Sequence, residues 1–183
     1  MNEKEARQKR QSEVSKAGKE KEREVIDILL SNKDISDEFL IGIPSKVLTN
    51  KSLLKIPYGE YQAEIDADIC VIRKKYNKLV CVISVKKSFR ERGGQTAYWA
   101  LKVKQSGKDY KYILATPDVD KELFDENNPE KRRKWRIILP YECDSVFVYS
   151  YENKVYKEEK FFVGKDYLIE YIKSLDVSWK DIL

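Results

Sequence analysis

Apolar and polar positions divide the chain into segments of two different periods. Val14, Ala17, Gly18, Lys21, Val25, Ile28 and Leu29 fall on one face at helical spacing. They predict a helix over residues 2–31, whose first half, residues 2–13, is polar all round, so that residues 1–13 read as a flexible or projecting start. Ser31-Asn32-Lys33-Asp34 ends that helix. Residues 35–60 read as a short second helix or loop leading into irregular chain, punctuated by Pro44, Pro57 and Gly59. Residues 61–73 alternate, and a period of two puts Glu64, Asp66 and Asp68 on one face of a strand. A polar turn over 74–78 joins this strand to residues 79–85 (LVCVISV), an almost continuous β-branched run suited to a strand buried on both faces. Gly93-Gly94 breaks the chain before a helix over 95–105. Residues 112–116 read as a second buried strand, 135–139 and 145–149 as two more strands, and 164–175 as a terminal amphipathic helix. The order predicts an α/β, three-layer core with a central mixed β-sheet flanked by helices.

Composition narrows the chemistry. The chain has 183 residues, the size of one domain. Its 36 basic and 31 acidic side chains leave a formal charge of +5, a mild bias toward a polyanionic partner. There is no histidine, which excludes Ser-His-Asp and Cys-His sites and every nuclease chemistry that depends on His. Cys70, Cys81 and Cys143 are odd in number and form no CxxC pair, which argues against a disulfide framework and a zinc site. Cys70 and Cys81 lie in apolar runs and read as core thiols. No run approaches the roughly 18 apolar residues of a membrane span, and the charged N-terminus lacks a signal core, so the expected location is intracellular.

The informative stretch is 64–95. Asp68 precedes the apolar Ile69-Cys70-Val71, and Ser84-Val85-Lys86 closes the next predicted strand. Ser84 and Lys86 leave the same strand face, and antiparallel pairing brings Asp68 and Lys86 to one end of the sheet. Phosphodiester hydrolysis uses such a group: carboxylates hold a hard cation, usually Mg²⁺, and a lysine beside it orients and stabilises the attacking water. Charge growing on the phosphoryl oxygens calls for further cations, for which arginine is the better geometric match.

These residues resemble the PD-(D/E)XK nucleases, whose core runs helix, hairpin, helix, strand. Ala67-Asp68 stands where that family has Pro-Asp, and Ser84-Val85-Lys86 where it has (D/E)-x-Lys. The following Lys86-Lys87-Ser88-Phe89-Arg90-Glu91-Arg92-Gly93-Gly94-Gln95 resembles a run found in several type II restriction enzymes. The resemblance implies a restriction-endonuclease-like fold and a Mg²⁺-dependent, site-specific endonuclease of double-stranded DNA in the cytoplasm of a bacterium or archaeon. It implies Asp68 as metal ligand, Lys86 as the residue that positions the nucleophile, and Arg92 as stabiliser of the scissile phosphate. Lys87, Ser88, Arg90, Arg92 and Gln95 would then face DNA.

One position departs from the pattern: Ser84 replaces the expected acid. Some enzymes cutting CCGG and CCNGG sites also carry a non-acid there and recruit an acid from the following helix. Here Tyr98, Trp99 and Ala100 occupy that place. The replacement acids are Glu64 or Asp66 on the predicted strand face, or Glu22 of the first helix, where Gly18-x-x-x-Glu22-x-x-Val25 resembles a first-helix motif of related nucleases; Glu24 is the reserve. A Lys/Glu-rich helix also carries glutamates that only face solvent, and the basic run Lys131-Arg132-Arg133-Lys134 is equally readable as a DNA-backbone track or a solvated face. Tyr98 and Trp99 read as core residues of their helix. Because one site cuts one strand, duplex cleavage implies a homodimer or a separate recognition subunit. The rival readings are a cleavage subunit of a heteromeric restriction or nicking enzyme, a catalytically inactive DNA-binding domain of this fold, and a repair or junction nuclease.

Overall fold

The computed structural model describes residues 3–89 and 92–175, with side chains of the first helix described at Glu5 and from Lys16 onward. Helix α1 (Glu3–Leu30) is unbroken. Its anchor is the second half, where Val25 and Leu29, one turn apart, are fully buried and Ile26 and Ile28 pack partly against the same core. Val14 lies outside the described side chains. Asn32 does more than end α1. Its side-chain oxygen accepts the Ile35 N–H and caps α2 (Lys33–Glu38), which carries Ile35 into the core.

Two elements follow that periodicity did not reveal, β1 (Phe39–Gly42) and α3 (Pro44–Val47). A 3₁₀ turn (Lys51–Leu54) leads to β2 (Lys55–Tyr58) and β3 (Tyr61–Glu64), which pair only with each other as a two-stranded sheet. Residues 61–73 are therefore not one strand. The Ile65 N–H bonds Leu54 O at the end of the β2–β3 hairpin and its side chain joins Leu54 and Ile56 in the core, after which residues 66–68 are irregular. The strand resumes as β4 (Ile69–Arg73), and a turn with Asn77 in the left-handed region leads into β5 (Lys78–Val85).

Helix α4 (Gly93–Gln105) and strand β6 (Lys111–Thr116) agree with the expected pattern. Residues 135–139 do not: they lie in helix α5 (Lys134–Glu142). Trp135 and Leu139, one helical turn apart, pack against the core, while Ile137 is exposed. A short apolar run fits either period, and here packing beside Gly93 decided for the helix. Strands β7 (Ser145–Val148), β8 (Tyr156–Lys157) and β9 (Phe161–Val163) precede α6 (Lys165–Ser174).

The main sheet has seven strands in the order β1-β4-β5-β6-β7-β9-β8. β1, β4 and β5 are antiparallel; β5, β6, β7 and β9 run parallel. Odd residues of β5 (Cys81, Ile83, Val85) face a core shared with α1, α2 and α6, and Val82 faces the core shared with α4, α5 and the hairpin. This is the three-layer α/β arrangement expected. Among the described residues no helix is long and apolar enough to cross a membrane.

The parallel register pairs Val85 with Ala115 and Thr116 with Val148, so the carboxyl ends of β5, β6 and β7 lie along one edge. Asp118 follows β6 there. It is buried, and its carboxylate accepts N–H bonds from Glu122, Leu123 and Phe124. Burial pushes its pKa up to about 6 against the opposing pull of those N–H groups. An acid raised on folding stabilises the fold fully below its unfolded pKa, and that contribution is lost as pH rises through the folded value. Asp118→Asn has no proton to lose. Urea denaturation between pH 4 and 7 is expected to show the variant gaining on the parent by up to roughly 2–3 kcal/mol, levelling off above pH 6. A difference independent of pH would contradict this.

Candidate active site

Strands β4 and β5 pair with Ile69 opposite Ile83, which sets Asp68 beside the end of β5. Asp68 Oδ2 accepts the Val85 N–H at 2.6 Å and the Lys86 ammonium at 2.9 Å. Asp66 Oδ2 stands 3.1 Å from the same Nζ. The Lys86 side chain is 5% exposed, against 17% for Asp68 and 26% for Asp66. A nearly buried ammonium needs such partners, because desolvation without them is costly. The irregular 65–68 stretch makes the convergence possible, and Tyr112 Oη secures it by donating to Asp66 O at 2.9 Å.

Of the acids considered as substitutes at position 84, Glu64 is not on a strand face with Asp66 and Asp68. It is exposed on β3, opposite Lys55 of β2. Ser84 does precede Lys86 by two residues, yet it is fully buried. Glu22 on α1 is half-buried, and its carboxyl is pushed above the usual range, first by burial and then by the negative charge of Asp68, with Asp66 adding to it. Helix α1 packs on this part of the sheet, its Val25 and Leu29 sharing a core with Ile69, Ile83 and Val85. Glu24 instead pairs with Lys21 at 2.6 Å.

Among the described residues no group of three or more acids stands close enough to hold a metal ion. The donor set still suits a hard cation. Asp66 and Asp68 offer oxygen ligands at a partly open site, and Mg²⁺ commonly takes one or two carboxylates with water and substrate phosphate completing its shell.

The segment after Lys86 is pinned rather than loose. Phe89 is fully buried, its N–H bonds to Asp120 Oδ2 at 2.9 Å, and the Val119 N–H bonds to Lys87 O. Asp120 is a support that sequence pattern did not flag; nothing about an acid in a post-strand loop announces which distant N–H it will accept. Lys87 is exposed, Ser88 half-buried, and Arg90 lies outside the described residues. Arg92 is exposed at the N-cap of α4, and Gln95 is exposed on its first turn. Tyr98 is also exposed, against the core expectation; its hydroxyl bonds that of Tyr58, while Trp99 packs partly on the core. Of the basic run, Arg132 pairs with Glu158 and Arg133 with Glu122, and Lys134 lies over the Trp135 ring.

Comparison with known proteins adds a separate line. The family model described as BsaWI restriction endonuclease type 2 matches residues 45–167, which include Asp66, Asp68, Ser84, Lys86 and Arg92. A Methanocaldococcus jannaschii protein provisionally named type II restriction enzyme MjaVIP is 43% identical over 110 residues, covering 58% of this chain and 49% of that protein. A Helicobacter pylori protein provisionally named type II restriction enzyme HpyAORF263P is 33% identical over 132 residues, covering 66% of this chain and 68% of that protein. The chain thus spans about half the length of the first relative.

Proposed function

This chain belongs to the BsaWI restriction endonuclease family of type II enzymes, and from that premise we propose that it cuts double-stranded DNA at specific sequences, hydrolysing phosphodiester bonds to leave 5′-phosphates. The observation that supports this best is the Lys86 ammonium held between Asp66 and Asp68 at the carboxyl edge of the sheet. The site is read as a PD-(D/E)XK centre with an S-x-K variant of the motif.

Asp68 and Asp66 are the residues that would hold Mg²⁺, with Glu22 as a third acid. When bound, Mg²⁺ would neutralise phosphate charge and make a water easier to deprotonate. Lys86, through Nζ, orients the attacking water in line with the phosphorus. Its two carboxylate partners hold Nζ in place, so little reorganisation is needed at the moment of attack. Arg92 reaches the developing charge on the phosphoryl oxygens, and Lys87, Ser88, Arg90 and Gln95 lie against the duplex. Asp66 takes the role of the acid absent at Ser84. Duplex cleavage calls for two such sites, in a homodimer or with a separate recognition subunit, working on DNA in the cytoplasm.

Digestion of a large mixed DNA with Mg²⁺ tests this. Discrete fragments, abolished by EDTA, are the expected result. Asp66→Asn is expected to slow cutting roughly 10²–10³-fold, and Glu64→Gln to leave it unchanged. The reverse order would remove Asp66 from the site. No cutting, with duplex binding intact, would point to a missing partner subunit or an inactive DNA-binding domain.

A further inference from the structure

A cleft of about 450 Å³ opens between α1, β1 and the start of α3. Its rim carries Lys19 and Arg23 of α1 and Lys46 of α3; Ile26, Ile41, Gly42 and Ile43 also line it. All three cations are exposed, and none forms a salt bridge among the described residues. The acid lining the cleft is Glu22, the same residue whose carboxyl feels Asp68, Lys86, Lys19 and Asp66. The cleft lies beside the catalytic cluster, because its Gly42 pairs with Cys70, two residues beyond Asp68. Gly42 sets its geometry: a Cβ there would stand 2.8 Å from Val47 Cγ1, so glycine lets α3 close on β1 and brings Lys46 to the rim.

We infer that this cleft is a phosphate track, in which Lys19, Arg23 and Lys46 bind the DNA backbone flanking the scissile bond. The inference rests on the nuclease reading above. Unpaired cations beside a carboxylate cluster suit a polyanion that must be drawn toward acids which would otherwise repel it. The residues sit on two helices tied to the sheet edge, so they fix the register of the strand rather than read bases. A flanking track also answers a need of the site, because Asp66, Asp68 and Glu22 put negative charge where the phosphate must arrive.

The test is binding of the full chain to a fluorescein-labelled duplex in EDTA, by anisotropy, across a salt titration. The variant Lys19→Ala/Arg23→Ala/Lys46→Ala is compared with a charge-matched control, Lys75→Ala/Lys108→Ala/Lys157→Ala. Lys75 and Lys108 lie toward the opposite end of β5, and Lys157 is on β8, the far edge strand. The cleft variant is expected to bind at least tenfold more weakly at low salt and to lose about 2–3 from the slope of log affinity against log salt. The control is expected to keep the parental slope. Thermal melting confirms that each variant is folded, and Gln at the same three positions is the second variant if Ala does not fold. A parent that binds duplex while both cleft variants keep its slope overturns the track and leaves the nuclease reading standing. Equal losses in cleft variant and control also overturn it, since net charge alone would then account for binding. A parent without duplex affinity overturns the track and the stand-alone enzyme together, and leaves of the nuclease reading only a cleavage subunit served by a separate recognition subunit.

Discussion

Lys86→Ala is expected to cut the single-turnover rate of DNA cleavage by about 10³-fold, with duplex binding in EDTA largely retained. The ammonium is nearly buried and faces Asp68 at 2.9 Å and Asp66 at 3.1 Å. Among the described residues no other group donates to both carboxylates. Alanine removes the donor that positions the nucleophile and leaves two half-buried acids facing each other. The same change therefore costs stability, about 1–3 kcal/mol for polar groups left without a partner, read as a lower midpoint in urea. Lys86→Arg is not a rescue, because a forked planar guanidinium does not fit a pocket shaped around a point charge. Asp68→Asn is expected to be nearly as damaging, since Asp68 Oδ2 serves both Lys86 and the Val85 N–H. Cleavage at the parental rate in Lys86→Ala would remove this cluster from the chemistry altogether.

The largest expected loss of stability from a single methyl group is at Gly164. It has φ +126°, a region that L side chains rarely adopt, and a Cβ there would overlap the backbone carbonyl of Asn153 and crowd Lys154 Cα. Backbone cannot move aside as a side-chain tip can. Gly164 also caps α6 and joins it to β9, its N–H bonding Val148 O at 2.8 Å. Relief of the overlap would lift α6 and with it Leu168 and Ile172, both fully buried. Strain and overpacking together give about 4 kcal/mol for Gly164→Ala, a fall in melting temperature of roughly 10 °C. Gly107→Ala is the control. Its φ is +67° but its Cβ would meet open space, so only the left-handed penalty of about 1 kcal/mol applies. Equal melting temperatures for the two variants would show that the contact with Asn153 is not limiting.

Much of this architecture was legible from residue order. The run 79–85 and the polar turn before it specify a β4–β5 hairpin through contacts between near neighbours, and that hairpin brings Asp68 to Lys86. Helices α1, α4 and α6 and strands β6 and β7 follow for the same reason, since each repeats its apolar positions at the period of one element. The absence of histidine left the chemistry to carboxylates, lysine, arginine, tyrosine, serine, cysteine or a bound metal.

Tertiary structure decided what those local patterns leave open. Alternation treats Glu64, Asp66 and Asp68 alike, yet Glu64 stays in the β2–β3 hairpin while Asp66 and Asp68, on the irregular stretch that the Tyr112 hydroxyl holds at Asp66 O, meet Lys86. Helix α5 owes its period to Trp135 seated over Gly93. Glu22 feels Asp68 only because α1 packs across the sheet. Residue order determines how each segment prefers to bury its own face; hydrogen bonds and contacts made by residues far apart in the chain determine which of several chemically similar side chains arrive at the same place.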